Sequence, residues 1–121
     1  MNEMHKRIRE NAMLGRYPMI RQYVRDGHGR KIGVLVAFKI DGTAYFRVGF
    51  SKCPWYMFNV SKGLEIAIGR ASSAVYGQGV QPDGSNVVPV TADFPESMID
   101  DFHKFLVRCC KYFRVSLCTF N

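Results

Sequence analysis

No Cys-x-x-Cys pair occurs among the four cysteines, Cys53, Cys109, Cys110 and Cys118, and no histidine stands at ligand-like spacing from them. Tetrahedral metal sites draw on such paired spacings, so no metal site is expected. The role left for the thiols is that of small apolar filler in a reducing compartment. The usual catalytic loops are missing too. There is no G-x-S-x-G elbow, no Walker loop, no dinucleotide fingerprint and no H-E-x-x-H. Asp100 and Asp101 are neighbours in sequence, so on a helix they face apart and do not pair as acid and base. The sequence reads as a protein that is not an enzyme and uses no cofactor.

Long apolar runs are also absent. The longest, Ile32 to Phe38, is far below the roughly 20 residues a membrane-spanning helix needs. Met1 to Arg9 is charged and has no apolar core of a secretory signal. A cytoplasmic product with no membrane partner is the expectation. Acidic residues are scarce as well: 10 stand against 17 lysines and arginines, for a net charge of +7. Such a surplus attracts nucleic acid, nucleotides, free phosphates or an acidic protein face.

What is present suits a single packed domain over residues 1–121, since 47% of the chain is hydrophobic and 13% aromatic. Asn2 to Met13 reads as an amphipathic helix, with Met4, Ile8 and Ala12 at helical spacing and Gly15 as its stop. Pro18 opens an extended stretch, Met19 to Arg25, which ends in the turn Asp26-Gly27-His28-Gly29. Ile32 to Ile40 is almost continuously apolar, as a strand central in a sheet or covered on both faces should be. Asp41-Gly42 predicts a tight type I′ hairpin turn into a return strand, Thr43 to Lys52. An aromatic loop, Pro54 to Phe58, leads to a second helix over Ser61 to Tyr76, with Ser61 as its N-cap. Its glycines, Gly63 and Gly69, suggest close approach of another backbone or a ligand, or a simple packing need.

Gly77 to Phe94 reads as an unusually long loop, and such loops tend to be functional. A last helix begins near Pro95, with Met98, Phe102, Phe105, Leu106, Cys109 and Phe113 as its apolar stripe. Val115 to Phe120 forms a candidate final strand. The fold class is α+β: an antiparallel β-sheet with a central hairpin and two or three packed α-helices.

Binding candidates come from the basic residues. Arg70 lies off the apolar stripe of the second helix, where its fork could grip a phosphate or pair with Glu65 or Asp101. Arg108 and Lys111 share one face of the last helix, suited to phosphate or simply solvated. Arg16, Arg21 and Arg25 form a third group, with Arg21 and Arg25 of equal parity on the first strand. Trp55, Tyr56 and Tyr76 could stack on a base or serve packing.

A family resemblance rests on three stretches. Val48-Gly49-Phe50-Ser51-Lys52-Cys53 is followed by Lys62-Gly63-Leu64-Glu65-Ile66-Ala67-Ile68-Gly69-Arg70-Ala71. Later, Phe94-Pro95-Glu96-Ser97 opens a helix carrying Arg108 and Lys111-Tyr112-Phe113. This layout resembles the phage Thoeris anti-defence sponge proteins of the first type. The resemblance implies a homo-oligomer, often a hexamer, that sequesters cyclic ADP-ribose or cyclic oligonucleotide signals between protomers without cleaving them. On that likeness, Arg108 stands for a ligand-contacting arginine of the C-terminal helix. Asn86 and Thr91 stand for residues of the preceding loop, Arg25 for a basic residue near the N-terminal segment, and Tyr76 or Phe94 for a stacking aromatic. The alternatives are a basic nucleic-acid-binding module and an inhibitor that docks on a host protein.

Overall fold

In the computed structural model, residues 3–73, 79–80, 86–87 and 96–114 are described. Helix α1, Glu3–Met13, ends in a paired glycine cap. Gly15 takes φ 71°, and its N–H donates to Ala12 O while Arg16 N–H donates to Asn11 O, both at 3.0 Å. Glycine reaches this left-handed position without a Cβ clash, which is why the chain turns there.

The main sheet is antiparallel, in the order β1 (Met19–Arg25), β2 (Lys31–Phe38), β4 (Arg47–Lys52). The central place of β2 accounts for its unbroken apolar run. Leu35 and Ala37 face one side, where they pack with Val48 and Phe50 of β4 and with helix α3 (Ile99–Phe113) through Phe102, Phe105, Leu106 and Cys109. Val34, Val36 and Phe38 face the other side, against Ile8 and Ala12 of α1 and Ala67, Ile68 and Ala71 of helix α2 (Val60–Ser73). The sheet is therefore sheathed on both faces, α3 on one and α1 with α2 on the other. None of the helices among the described residues is long and apolar enough to cross a membrane.

The hairpin joining β2 and β4 differs from its sequence signal. A type I′ turn needs positive φ at both central residues, and here only Gly42 has it, at 86°. The turn closes through Thr43 N–H to Ile40 O, with Thr43 Oγ1 bonded to the same carbonyl at 2.6 Å. Pairing of β2 with β4 begins only at Phe38 opposite Arg47. In between, Ala44–Tyr45 forms β3, which leaves for a second small sheet with β5 (Gly79–Val80) and β6 (Asn86–Val87). Two short strands thus lie inside the stretch read as a long loop.

The cap of α2 is also corrected. Asn59, not Ser61, fills it: Asn59 Oδ1 accepts the Lys62 N–H at 2.9 Å. Gly63 does sit against the Phe58 ring, where a Cβ would come within 3.3 Å, but Gly69 meets nothing closer than Arg9 Cδ at 3.8 Å. The end of the second helix at Tyr76 and the final strand Val115 to Phe120 lie outside the described residues.

Candidate functional site: the open edges of the sheet

Among the described residues the three-stranded sheet ends in two edge strands, β1 and β4, whose outward backbone groups pair with no further strand. Strand periodicity tells which groups these are. Lys39 N–H bonds to Pro18 O, so even-numbered residues of β1 face β2 and odd-numbered ones face outward. Arg21 O is thus on the outer edge. By the same logic Cys53 N–H bonds to Ile32 O, so the odd residues of β4 face β2 and Phe50 O faces out.

Both outward carbonyls are taken by the arginines singled out from sequence. Arg108 Nη1, reaching from α3, donates to Arg21 O at 3.2 Å and to Gln22 Oε1 at 3.3 Å. Arg70 Nη1, reaching from α2, donates to Phe50 O at 3.1 Å, and its guanidinium lies 4.7 Å from the centre of the Phe50 ring. Among the described residues Arg70 forms no ion pair with Glu65 or Asp101. Glu65 pairs instead with Lys62, at 3.8 Å. Covering edge carbonyls with cationic side chains protects a sheet from pairing with another strand, so each arginine has a structural role before any ligand is considered.

The two do not meet within one chain. They cap opposite edge strands, roughly 10 Å apart across the sheet, and reach them from helices on opposite faces. Arg25 lies further along β1, past a register shift between Val24 and Arg25 that ends the simple parity with Arg21. Its Nη1 folds back onto Gly29 O at 2.8 Å. Asn86 contributes its backbone to β6, opposite Val80. Tyr76 and Thr91, and Phe94 with them, lie outside the described residues.

A groove beside the β1 edge has no local signal in the sequence. It lies where α1, β1 and α2 meet, has a volume of about 330 Å³, and is lined by Ala12, Met19, Arg21, Ser61, Leu64 and Ile68. That volume is within the range of small-ligand sites, and the mixture of apolar walls with one guanidinium suits an amphipathic anion. Arg21 therefore contributes its side chain to the groove on the α1/α2 side and its carbonyl to Arg108 from the α3 side.

Buried groups elsewhere are structural. Burial pushes the Cys109 thiol far above its ordinary pKa, with the neighbouring Cys110 adding to the effect, so it does not ionise to a nucleophile. Arg47 is buried and donates from Nη1 to Ser72 O at 3.2 Å and Ala71 O at 3.4 Å, capping the last turn of α2. Among the described residues no group of three or more His, Cys, Asp and Glu side chains is placed to hold a metal ion. Comparison with known protein families, curated proteins and solved structures gives no match to this chain.

Proposed function

We propose that the chain binds a phosphate-bearing nucleotide and holds it without turnover. The cyclic ADP-ribose and cyclic oligonucleotide class is the one to which the resemblance of the β4–α2 and α3 segments points. The observation that supports this best is the Arg108 guanidinium held on the outer edge of β1 at Arg21 O, while the Arg21 side chain lines a groove large enough for a nucleoside on the other face. Arg108 is exposed and uses one nitrogen on the strand. Among the described residues its Nε and Nη2 have no hydrogen-bond partner, so two donors remain for a phosphate.

Because Arg70 and Arg108 lie on opposite edges, one ligand contacts both only when they come from different copies of the chain. A homo-oligomer, of hexameric order on the resemblance, would bring the Arg70 of one copy to the Arg108 of another. Sequestration of a signal in the host cytoplasm is the physiological setting of the proposal.

The test is a thermal-shift and calorimetric comparison of wild type with Arg108→Ala. Loss of a charge-assisted contact should weaken nucleotide binding by roughly ten- to a hundredfold. The ligand should be recovered chemically intact from the denatured complex, and native mass spectrometry should show it on an oligomer. Equal ligand-induced melting shifts in the two proteins would leave Arg108 as an edge cap alone and refute the site.

A further inference from the structure

Trp55 is the sequence's single tryptophan, and it is 49% exposed on the short 3-10 turn Trp55–Met57 that follows β4. The Arg30 guanidinium lies 4.3 Å from the centre of its ring. That guanidinium is held from a second side, its Nε donating to Asp26 Oδ2 at 3.0 Å. Asp26 is in turn fixed by the turn itself, its Oδ1 accepting the backbone N–H groups of His28 at 2.9 Å and Arg30 at 3.0 Å. Carboxylate, guanidinium and indole thus form a supported stack. Tyr56, 70% exposed, meets Trp55 edge-on with ring centres 5.8 Å apart.

Further cations gather at this end of the sheet. Arg25 belongs to the same turn through Gly29 O. Lys31 follows Arg30 in the chain and lies over the Tyr23 ring at 4.2 Å. Lys52, which ends β4 opposite Gly33, is turned to the other side, its Nζ donating to Ser97 Oγ at 2.6 Å. The one carboxylate in the turn, Asp26, is already paired.

We propose that this end of the sheet is a platform for single-stranded nucleic acid. Unpaired bases lie on the planes of Arg30 and the exposed aromatics, and the flanking Arg25 and Lys31 take the phosphates. The argument turns on what Arg30 offers. Its charge is largely met by Asp26, so at the surface it presents a flat, pre-oriented face rather than a net charge. Such a face recognises an exposed base, as guanidinium and aromatic planes do in single-strand binding. An acidic peptide would gain little from it. A duplex keeps its base faces stacked inside, so it gains nothing from the platform beyond its charge. The inference does not rest on the nucleotide reading of the β1 edge, since Arg108 takes no part in the stack.

Titration with a thymidine dodecamer reads this directly, because all tryptophan fluorescence comes from Trp55. Saturable quenching is expected, together with a rise in anisotropy when the oligonucleotide carries the label. Trp55→Ala and Arg30→Lys should each weaken binding by roughly 5- to 150-fold, the span of one lost base-stacking contact. Arg30→Lys retains the charge and an ion pair to Asp26, so it separates stacking from charge while leaving the turn folded. Lys104→Ala, exposed on α3 and part of neither site, should bind the oligonucleotide like wild type. Absence of both signals would overturn the proposal, as would duplex of equal length binding as tightly. So would wild-type affinity in Arg30→Lys and Trp55→Ala, or equal displacement by inorganic polyphosphate, which would reveal attraction to polyanions only.

Discussion

Among the described glycines, Gly49 is the one whose replacement by alanine should damage this fold most. Gly49 sits in β4 where α2 crosses it, and a Cβ there would collide with the Ala67 carbonyl oxygen and lie 2.6 Å from Ala71 N. Both obstacles are helix backbone, so no side-chain rotation relieves them. The helix must move outward, or the strand must twist away from β2. Moving α2 loosens Ala67, Ile68 and Ala71 against Val34, Val36 and Phe38, a cluster of buried residues. Overpacking in a rigid core costs about 1 to 3 kcal/mol and occasionally more, and this site belongs at the upper end. Alanine also reduces the entropy of the unfolded chain by about 0.4 to 1 kcal/mol, which offsets only part of it. A net loss of about 2 to 3 kcal/mol is a large share of the 5 to 15 kcal/mol typical of a domain. It corresponds to a fall in Tm of roughly 10 °C for a chain of this size. Urea denaturation followed by circular dichroism measures it, with Gly27→Ala as control, since a Cβ at Gly27 meets nothing within 4 Å. A midpoint for Gly49→Ala within error of the Gly27→Ala protein would refute the packing of α2 on β4.

Two further outcomes follow from ionisation. The Arg30 backbone N–H, foremost, and those of His28 and the Arg30 side chain hold the Asp26 carboxyl below its ordinary value, so the charged form favours the folded state. This contribution is complete above the unfolded pKa of about 4 and is lost as pH falls through the lower folded value, so the stability gap between wild type and Asp26→Asn should shrink on acidification. Urea midpoints at neutral pH and near pH 3 check it, and a gap that widens toward acid would contradict the assignment. For the thiols, native alkylation at mildly alkaline pH followed by peptide mapping should label half-buried Cys53 and spare buried Cys109 until the protein is unfolded.

Those parts of the fold set by local periodicity were readable from sequence. The stripe from Met98 to Cys109 lies on one side of α3 because its spacing matches the helical turn, and all of it is buried. The apolar run of β2 signalled a strand central in a sheet or covered on both faces, without saying which elements cover it. What local pattern does not encode is which element crosses which. Gly49 looked like one more alternating strand position, whereas Gly63 and Gly69 drew notice because glycine is costly in a helix. Of these three, Gly49 has the strongest steric need for glycine, because the backbone of α2 crosses there. The Asp41-Gly42 signal correctly located a turn, but the departure of Ala44–Tyr45 to pair with Gly79–Val80 is a long-range choice that no dipeptide reveals. The fates of the arginines are hidden for the same reason. Arg108 meets a carbonyl 87 positions away, and the strand order that leaves that carbonyl open is not written near either residue.

That placement bears on how an arginine can cap an edge and hold a ligand together. Were Arg108 to abandon Arg21 O for a phosphate, the carbonyl would return to water. The exchange would forfeit a hydrogen bond worth about 0.5 to 1.5 kcal/mol net, and more where the donor is charged. Much of the gain of about 1.5 to 3 kcal/mol from a charge-assisted phosphate contact would then be cancelled. Binding through Nε and Nη2 avoids the exchange, because Nη1 keeps both Arg21 O and Gln22 Oε1. The guanidinium is planar, so two anchored bonds on one nitrogen also fix the direction of the remaining donors. A ligand meeting an arginine already oriented loses less side-chain entropy on binding than one that must order a free chain, by about 0.5 to 1.5 kcal/mol. The edge bonds that protect β1 are therefore also what would orient Arg108 as a hydrogen-bond donor to phosphate, so the proposed binding role would reinforce the structural one rather than exclude it.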